Sequence, residues 1–378
     1  MAESGRGRFD DAFLEKLREE HRLSDFFEGC GVHLRRAGRE WIGLSPFNVE
    51  RTPSFTVDDH KGRYYCFSSG MHGDIFTAVQ HFMGLDFRAA VEFLSCGRQE
   101  VTPEERERIR RRKKERQERE RVDRQRMMGR LERMFDNARP IIGTYGEDYL
   151  ARRCLTVDPS WTFDLRFFDR LGYRGFRTAA DKETEPLGEF PAMVAAIRDV
   201  SGVIIGIHRT YLDPAEPVKL RPPGDASRNR AKKILGDTSG GMIRLSQIGA
   251  RLAMGEGIET TRAWFEIKPR GDVTIASAVS LGNLAGAAAG SIPHPQHAKK
   301  RIPNGEPDPD RPGVILPECV KEAILLGDGD SDPPMTRQRL AVAGRRFRSQ
   351  GRKVRAHMAT RGCDFNDVLM RLRGGANA

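Results

Sequence analysis

Two short groups of acidic residues near the C-terminus have the types and spacing that phosphoryl chemistry needs. Glu256 follows the short run 251–254, and Asp328 and Asp330 follow the apolar run 323–326, with a glycine after each run. A run of this kind ended by glycine is typical of a buried parallel strand, and open α/β sheets bind ligands at the carboxyl ends of their strands. Carboxylates gathered there predict a site for divalent cations, which neutralise charge on the oxygens of phosphoryl or nucleotidyl transfer.

Three further acids are candidates for the same site. Asp332 follows the aspartate pair, Asp364 follows a third predicted strand, and Glu259 is a weaker candidate. Each motif taken alone is often only a turn or a helix cap. We predict catalysis by Glu256, Asp328 and Asp330, and coordination of Mg²⁺ or Mn²⁺ by the same three residues together with Asp332 and Asp364. The neighbouring glycines, Gly255, Gly257, Gly327 and Gly329, are expected to let the backbone approach phosphate and metal closely.

These acids can converge only if the C-terminal part of the chain folds as an α/β sheet. The pattern predicts strands at 251–254, 273–277, 323–326 and 354–358, with helices after the first and third. Such alternation predicts a mostly parallel sheet. A proline-rich interval from Ser291 to Pro317 interrupts it and is expected to be a surface loop.

Composition limits the class of protein. The 378 residues allow two or three domains, and 38% hydrophobic with 31% charged residues describes a polar globular chain. No uncharged apolar run approaches the roughly 20 residues that span a bilayer, and the N-terminus lacks a signal-peptide core. We therefore expect a cytoplasmic protein with no membrane partner. The net charge of +11 indicates a polyanionic partner.

Changes in composition divide the chain into four parts. These are a β-rich part (1–100), a charged helical linker (101–135), a mixed α+β part (136–247) and the α/β part (248–378). Between Glu104 and Arg126, 12 Lys and Arg stand against 7 Asp and Glu, a net charge of +5. A run of mixed charge is most simply a solvated, salt-bridged helix, and direct contact with nucleic acid is the alternative.

The N-terminal part carries a series of motifs with fixed spacing. They are Gly-Leu-Ser-Pro-Phe-Asn at 43–48, Thr-Pro-Ser-Phe at 52–55, Cys-Phe-Ser-Ser-Gly at 66–70 and Gly-Asp at 73–74. This series resembles the zinc ribbon of bacterial DnaG-type primases. In that family, cysteine or histidine occupies the positions that correspond here to Ser45, Asn48, Cys66 and Ser69.

The resemblance implies that only Cys66 remains of four zinc ligands, because serine and asparagine do not replace thiolate and imidazole. Loss of a structural zinc removes on the order of 10 kcal/mol of binding energy. We expect zinc to be absent, hydrogen bonds to join the polar replacements, and an aromatic core to compensate, formed by Trp41, Phe47, Phe55, Tyr64, Tyr65, Phe67, Phe76 and Phe82. A rearranged site of Cys66, His72 and either Cys30 or Cys96 is the alternative.

The same β-rich part has aromatic and basic residues that suit single-stranded nucleic acid, in which unpaired bases stack and phosphates bind cations. The candidates are Arg51, Lys61, Arg63, Tyr65 and Phe67. The alternative is that the aromatic residues are core, which we favour for Phe47, Phe55 and Phe67, and that the basic residues are ordinary solvated surface.

A strand-end glutamate followed tens of residues later by a strand-end Asp-x-Asp resembles the signature of the Toprim fold, which primases, topoisomerases and some nucleases share. Glu256 matches the glutamate, and Asp328 and Asp330 match the aspartates. The segment 362–369 is similar to the tail of Toprim domains in phage and plasmid primases. The resemblance implies acid-base or metal work for the glutamate and Mg²⁺ binding for the aspartates.

Residues 191–245 resemble the region that precedes Toprim in primases of mobile elements, and 149–155 resembles a helix end of the same family. This implies basic residues that bind a single-stranded template and the incoming nucleotide. The candidates are Arg209, Lys219, Arg221, Lys232 and Lys233, with Lys233 the strongest, and Lys61 and Arg63 join them from the β-rich part.

The predicted fold class is α/β, or α+β overall. A Rossmann-like, mostly parallel Toprim sheet follows a mixed α+β primase subdomain and a small β-rich domain that resembles a zinc ribbon. The resemblance implies a DNA primase that makes short RNA from ribonucleoside triphosphates on single-stranded DNA. A replicative helicase is the expected partner, because the chain has no GxxxxGK[ST] motif. The alternatives are a Toprim nuclease and a non-catalytic protein that binds single-stranded DNA during replication.

Overall fold

The computed structural model describes residues 9–38, 40–50, 53–95, 102–330 and 332–374. The candidate residues Arg51 and Cys96 lie outside these ranges. The chain divides into two compact units, residues 1–125 (unit 1) and 126–378 (unit 2).

The helices are α1 (Asp11–Glu20), α2 (Leu23–Gly29), α3 (Ile75–Met83), α4 (Phe87–Ser95), α5 (Pro103–Asp136), α6 (Tyr145–Arg152), α7 (Ile258–Ile267), α8 (Leu281–Ala285), α9 (Pro333–Ser349) and α10 (Phe365–Leu372). The strands are β1 (Leu34–Ala37), β2 (Glu40–Gly43), β3 (Phe55–Asp58), β4 (Arg63–Cys66), β5 (His72–Gly73), β6 (Arg139–Pro140), β7 (Leu165–Gly175), β8 (Glu185–Arg198), β9 (Ile204–Tyr211), β10 (Lys232–Gly236), β11 (Ile243–Arg244), β12 (Arg251–Gly255), β13 (Val273–Ser277), β14 (Ser291–His294), β15 (His297–Pro303), β16 (Glu322–Gly327) and β17 (Lys353–Met358).

Unit 1 is built on an antiparallel sheet with the strand order β1-β2-β3-β4-β5. Phe55 and Val57 of β3 are buried while the residues between and after them are not, as expected for a strand with one face on a core. Asp74 caps α3, because its carboxylate accepts the Thr77 backbone N–H at 3.1 Å. The β-rich stretch and the helix that follows it thus form where the sequence predicts them.

Aromatic rings fill the core of unit 1. The ring of Phe27 lies 4.8 Å from that of Phe55 and 5.0 Å from that of Tyr64, both in edge-to-face geometry. Phe55, Tyr64 and Phe76 are buried as predicted, but Phe67 is 59% exposed. The expectation that Phe67 belongs to the core is therefore wrong, since its side chain lies on the surface.

The charged segment forms α5, and most of its described side chains are exposed, as expected for a solvated, salt-bridged helix, while a few of them are packed. Three of its arginines pair with acids of α1 or its cap: Arg106 with Asp10 (2.9 Å), Arg112 with Glu19 (3.4 Å) and Arg116 with Glu15 (2.6 Å). Ile109 is buried in the core of unit 1, and Leu131 and Phe135 are buried in unit 2. Among the described residues, no helix combines the length and apolar character needed to cross a membrane.

Unit 2 begins with an antiparallel sheet in the order β10-β9-β8-β7-β6. Residues 192–197 of β8 are all buried. Alternate residues of a strand point to opposite faces, so a continuous buried run means that both faces of this strand are covered. One face packs on residues of α6 such as Tyr149 and Leu150 in the largest core of the unit.

The C-terminal sheet has the order β11-β13-β12-β16-β17. β12 pairs in parallel with β13 and β16, β16 pairs in parallel with β17, and only β11 is antiparallel to its neighbour. All four predicted strands are confirmed with boundaries within one residue, and α7 and α9 follow β12 and β16 as expected. The fold class is confirmed as α+β overall with a mostly parallel C-terminal sheet.

The proline-rich interval 291–317 is not a plain surface loop. It contains the two-stranded hairpin β14–β15, paired with a register shift at Pro293 and His294. Ile302, Val314 and Leu316 are buried. The expectation failed because prolines at the ends of edge strands are compatible with a hairpin.

Cys154 follows the C-terminus of α6 in the left-handed region, with φ +58°. Glycine favours this position, where a side chain costs roughly 1–2 kcal/mol. We expect Cys154→Gly to raise the free energy of unfolding by about 1 kcal/mol, and Cys154→Val to lower it by about 2 kcal/mol because β-branched residues fit this region worst. Urea unfolding of both variants measures the difference, and equal stabilities would contradict the left-handed conformation.

Candidate active site

The parallel sheet places three predicted acids at one edge. Glu256, Asp328 and Asp364 follow β12, β16 and β17, which are adjacent and parallel, so that their carboxyl ends point the same way. Asp364 is also the N-cap of α10 and forms a capping box with Asp367. Each acid is therefore held by the end of a strand or the start of a helix rather than by a long loop.

The Asp-Gly-Asp turn after β16 packs against the segment that leads to Asp364. Gly329 donates its N–H to the carbonyl of Cys363 at 2.9 Å. A Cβ atom at position 329 would lie 2.3 Å from the carbonyl oxygen of Thr360. Glycine is thus required here by packing within the chain, and the reason expected from the sequence, close approach to phosphate or metal, is not needed to explain it.

Asp328 is at the electrostatic centre of the acids. Partial burial raises its pKa to about 7, and the nearby charges of Asp364, Glu256 and Asp330 add to this. Its Oδ1 atom is buried and accepts no hydrogen bond from the residues that the structure describes. A buried carboxylate oxygen that accepts no hydrogen bond, and that lies near three other acids, is a favourable place for a cation to bind.

Glu256 is fixed by the strand next to it. The Ser277 hydroxyl at the end of β13 donates to the Glu256 carbonyl at 2.7 Å, and the Leu281 backbone N–H at the start of α8 bonds to its carboxylate. Loss of solvation raises the pKa of Glu256 although the residue remains accessible to water. The positive charge of Lys232 opposes this rise in pKa, and the negative charge of Asp330 adds to it.

The acids do not already enclose an ion. Within the described ranges, no three His, Cys, Asp or Glu side chains come together closely enough to hold one. The donor set still fits Mg²⁺, which takes oxygen ligands, needs only one or two carboxylates and keeps several waters.

Asp332 is engaged elsewhere. Its carboxylate caps α9 by accepting the Met335 N–H at 3.0 Å, and it binds Nε2 of His294 at 3.0 Å and the ammonium group of Lys300. Burial alone would raise its pKa, but the hydrogen bonds from Lys300 and His294 lower it to about 2. His294 Nδ1 accepts the Gln296 N–H at 3.0 Å, so Nε2 carries the proton that is donated to Asp332. Unlike the other four acids, Asp332 is tied to the β14–β15 hairpin.

Two of the predicted basic residues reach the site through Glu259. Lys219 Nζ lies 3.5 Å from Glu259 Oε1, and Lys232 Nζ lies 3.4 Å from Oε2. Lys232 also acts on Asp328 and Glu256, whose pKa values it lowers. Burial would raise the pKa of Glu259, but Lys232 and Lys219 hold it well below its usual value. This carboxylate is therefore ionised and is the counterion of both lysines.

The other predicted basic residues of unit 2 face elsewhere. Lys233 donates to the carbonyl of Arg174 at 2.7 Å and its ammonium group lies 4.5 Å from the Tyr173 ring. Arg209 donates to the carbonyl of Ile234 at 3.3 Å. Lys232 and Lys233 are successive residues of β10 and so point to opposite faces. Arg221 lies exposed on the loop before β10.

Sequence reasoning missed three residues near the acids. Arg339 of α9 and Arg153 lower the pKa values of Glu256 and Asp364 respectively. Tyr149 donates its hydroxyl to Glu259 at 2.7 Å. Tyr149 and Arg153 belong to the helix-end motif 149–155, which could have pointed to both residues. Arg339 is one of several arginines in α9, and no motif distinguishes it from the others.

The four zinc-ligand positions of unit 1 do lie together. Ser45, Asn48, Cys66 and Ser69 are all buried, and the Ser45 hydroxyl lies 3.0 Å from the Cys66 sulfur. The Ser45 hydroxyl also accepts the Asn48 backbone N–H at 3.0 Å, and the Ser69 hydroxyl accepts that of Met71 at 3.2 Å. Ser45 therefore bonds to Cys66 and to the loop backbone, and Ser69 bonds to the loop backbone, whereas hydrogen bonds of the replaced side chains with one another stay a prediction.

The surface of unit 1 carries a small aromatic group. The rings of Tyr65 and Phe67 lie 4.5 Å apart, and His72 stacks on Tyr65 at 6.0 Å. His72 Nδ1 lies 2.9 Å from the carbonyl of Gly70, so the alternative zinc set with Cys66 is not assembled among the described residues. Lys61 pairs with Asp58 at 3.0 Å, and Arg63 is exposed.

Two families match the sequence. Residues 9–109 match the zinc-ribbon family of DnaG, described as a CHC2 zinc finger. Residues 125–245 match a domain of unknown function, DUF7146. A DNA primase of Halalkalibacterium halodurans is 40% identical over 92 residues, or 24% of this chain and 15% of that protein. The N-terminal part of the chain is thus similar to DnaG-type primases. A second primase, of Haemophilus influenzae, is 26% identical over 162 residues, which are 43% of this chain and 27% of that protein.

Solved primase structures superpose on this chain only loosely. The Aquifex aeolicus primase, with zinc-binding and RNA polymerase domains, gives a TM-score of 0.37 at 16% identity and covers 97% of this chain and 85% of that one. A DnaG primase catalytic domain bound to single-stranded DNA gives 0.38 at 15% identity, with coverage of 66% and 77%. At this level of similarity the superpositions assign no residue role.

Proposed function

We propose that this chain is a metal-dependent DNA primase that synthesises short RNA on single-stranded DNA. The observation that supports this most is that Glu256, Asp328, Asp330 and Asp364 all follow the carboxyl ends of neighbouring parallel strands, and that a buried oxygen of Asp328 accepts no hydrogen bond from the described residues. Acids in this arrangement suit nucleotidyl transfer. The match of the N-terminal unit to the DnaG zinc ribbon selects primer synthesis among the reactions that such acids serve.

Glu256, Asp328, Asp330 and Asp364 are the residues that would hold Mg²⁺ or Mn²⁺, and Asp332 is left out because its carboxylate is engaged by His294 and Lys300. A divalent cation supplies charge neutralisation on the triphosphate and on the attacking 3′ oxygen. The chain itself supplies a rigid frame for these ligands at three strand ends.

The basic residues beside the acids would bind the triphosphate. Lys219 and Lys232 are both partly accessible, with about 40% of each side chain exposed, and their ammonium groups face the acids across Glu259. Arg339 approaches Glu256 from α9. These cations would orient the α-phosphate for attack by the 3′-hydroxyl and stabilise the pyrophosphate that leaves.

The proposed partners are single-stranded DNA, ribonucleoside triphosphates and a separate helicase in the cytoplasm. The DNA would meet the exposed ring of Phe67, with Tyr65 beside it, and basic residues of unit 1 such as Arg63. Zinc is not proposed as a cofactor, because Ser45, Asn48 and Ser69 do not offer ligands that zinc prefers.

One assay separates the proposal from its rivals. The full chain is incubated with labelled single-stranded DNA and four ribonucleoside triphosphates, with Mg²⁺ or with EDTA, and with zinc content measured in parallel. Mg²⁺-dependent RNA oligomers support a primase. Shortened DNA indicates a Toprim nuclease, and tight DNA binding without turnover indicates a non-catalytic binding protein.

Divalent-cation binding should tighten as pH rises through about 7. Asp328 holds its proton up to that pH in the metal-free protein, and a protonated carboxyl does not coordinate metal. Titration calorimetry with Mn²⁺ at pH 6, 7 and 8 should show an affinity that rises by about tenfold per pH unit at first and then levels off. An affinity that is constant over this range would exclude Asp328 as the titrating ligand.

A further inference from the structure

Glu259 is a buried acid with a precise set of partners. It is the second residue of α7 and only 4% of it is exposed. Tyr149 donates to Oε1 at 2.7 Å, Lys219 lies 3.5 Å from the same oxygen, and Lys232 lies 3.4 Å from Oε2. A buried carboxylate is stable only when it is paired in this way.

Each of the two lysines is subject to opposing electrostatic effects. Lys232 lies within electrostatic reach of Glu256 and Asp328 as well as of Glu259. Glu259 favours the charged form of Lys219, but burial and the nearby Lys232 charge together lower the Lys219 pKa. Two cations are thus crowded around one carboxylate, and the acids at the strand ends are the alternative partners for Lys232.

The opposite wall of this group adds no negative charge. His208 of β9 is fully enclosed, and burial lowers its pKa to about 3, so its imidazole is neutral. Its Nδ1 accepts no hydrogen bond from the described part of the chain. Arg209 also acts on His208, and Arg153 also acts on Lys219; both of these groups are positive. Glu259 is therefore the counterion that decides where the lysines rest.

We propose that Glu259 is a positioning residue whose carboxylate anchors Lys232, together with Lys219, on the α7 side of the site. Held there, the Lys232 ammonium group stays clear of the oxygens of Glu256 and Asp328 and remains available to phosphate. Without this anchor, the ammonium group moves onto the strand-end acids and competes with a divalent cation. The inference rests on the proposed function of those acids as cation ligands.

Direct binding of Mn²⁺, followed by electron paramagnetic resonance of the full chain, tests this without any need for turnover. Glu259→Gln keeps the shape of the side chain and removes its charge. We expect the Kd for Mn²⁺ to rise about tenfold, because an uncompensated Lys232 charge then lies beside the ligands. The matched control is Glu266→Gln on the same helix, whose carboxylate is equally enclosed but pairs with Arg262 and Arg373. It should leave the Kd within about twofold.

Rescue separates positioning from support of the fold. The double variant Glu259→Gln with Lys232→Met should recover the wild-type Mn²⁺ affinity, since the competing cation is gone. Loss of a merely structural contact would not be repaired by a second substitution. If Glu259→Gln fails to fold by circular dichroism, Lys232→Met alone carries the test: because Glu259 holds the ammonium group clear of the acids, its removal should leave the Mn²⁺ affinity within about twofold of the wild type, and several-fold tighter binding would overturn the anchor.

The outcomes distinguish this inference from the proposed function. Wild-type binding of Mn²⁺ with an unchanged affinity in Glu259→Gln, or without recovery in the double variant, overturns the positioning role alone. Failure of the wild-type chain to bind Mn²⁺ overturns the cation site and the inference with it. Weakened binding followed by recovery supports both.

Discussion

Asp328→Asn is expected to abolish primer synthesis and at the same time to stabilise the metal-free protein. The loss of activity should reach about 10³-fold, because the amide offers no negative charge to a cation that stabilises the transition state. The gain in stability follows from repulsion, since Asp328 lies among Glu256, Asp330 and Asp364 and has a buried oxygen without a donor. Active sites commonly hold such strained charges.

The pH dependence fixes the sign of the stability change. The folded-state pKa of Asp328 is raised to about 7 from an ordinary value of 3.8. The folded protein therefore keeps this proton between those values, and the stability linked to it is complete below pH 4 and lost as pH rises through 7. At pH 8 without metal, Asp328→Asn should increase the free energy of unfolding by about 1 kcal/mol. The gain should vanish near pH 4.

The matched control is Asp272→Asn at the opposite edge of the same sheet. Asp272 begins the segment before β13, is 64% exposed and pairs with Arg251, which lowers its pKa. Its loss should leave primer synthesis unchanged and cost at most about 0.5 kcal/mol. Primer yield and urea unfolding at pH 8 measure both variants. An active Asp328→Asn enzyme, or one that is less stable than the control, would contradict the assignment of Asp328.

The strand ends could be predicted because they depend on local sequence. Buried strands such as 323–326 are uninterrupted apolar runs, and the glycine that follows each run marks its end. The placement of Glu256 and Asp328 directly after strands could therefore be predicted from the sequence. The hairpin within 291–317 was not, because its pairing depends on contacts with the β16–α9 turn, which proline content does not reveal.

The choice between neighbouring side chains could not be made from the sequence. Lys233 was the preferred nucleotide ligand, yet Lys232 reaches the acids, because the register of β10 on β9 decides which face meets the site. A shift by one residue exchanges the two. In the same way, Asp332 follows Asp330 in an acidic cluster, but the start of α9 and His294 take up its carboxylate. The spacing of residues in the sequence identifies the acidic cluster, but tertiary contacts determine which of its carboxylates are bound to other side chains.

Glu259 shows why a role can be harder to predict than a position. Its place beside Glu256 made it a candidate metal ligand, whereas its carboxylate meets Tyr149, Lys219 and Lys232. Tyr149, Lys219 and Lys232 are 110, 40 and 27 residues away along the chain, in three different elements or loops. Only the packing of α6 and the β9–β10 sheet on α7 brings them together.

Asp164 joins the two five-stranded sheets of unit 2. Asp164 is 1% exposed and precedes β7. Its carboxylate accepts from Arg198 Nε at 2.7 Å and from Arg244 Nε at 2.9 Å. Arg198 ends β8 in the antiparallel sheet, and Arg244 lies in β11 at the edge of the parallel sheet. One buried acid thus neutralises a cation from each sheet.

Asp164→Ala is therefore expected to lower the free energy of unfolding by about 3 kcal/mol, because it leaves two partly buried guanidinium groups without a counterion. The control is Asp169→Asn, whose pair with Arg139 is 2.8 Å long but mostly exposed and should contribute less than about 1 kcal/mol. Urea unfolding midpoints with matched slopes give both values. A loss as small as that of the control would contradict the role of Asp164.

The same variant should also affect the proposed reaction more than its stability alone would explain. Lys219 and Lys232 are carried by the antiparallel sheet and its loops, whereas Glu256 and Asp328 end strands of the parallel sheet. A looser junction between the sheets displaces the cations from the acids, and a misplacement of 1 Å can cost about 10²-fold in rate. We expect primer synthesis by folded Asp164→Ala to fall by at least about tenfold, while Asp169→Asn keeps wild-type activity. Wild-type turnover by the folded Asp164→Ala protein would mean that the two sheets hold their alignment through the hydrophobic core alone.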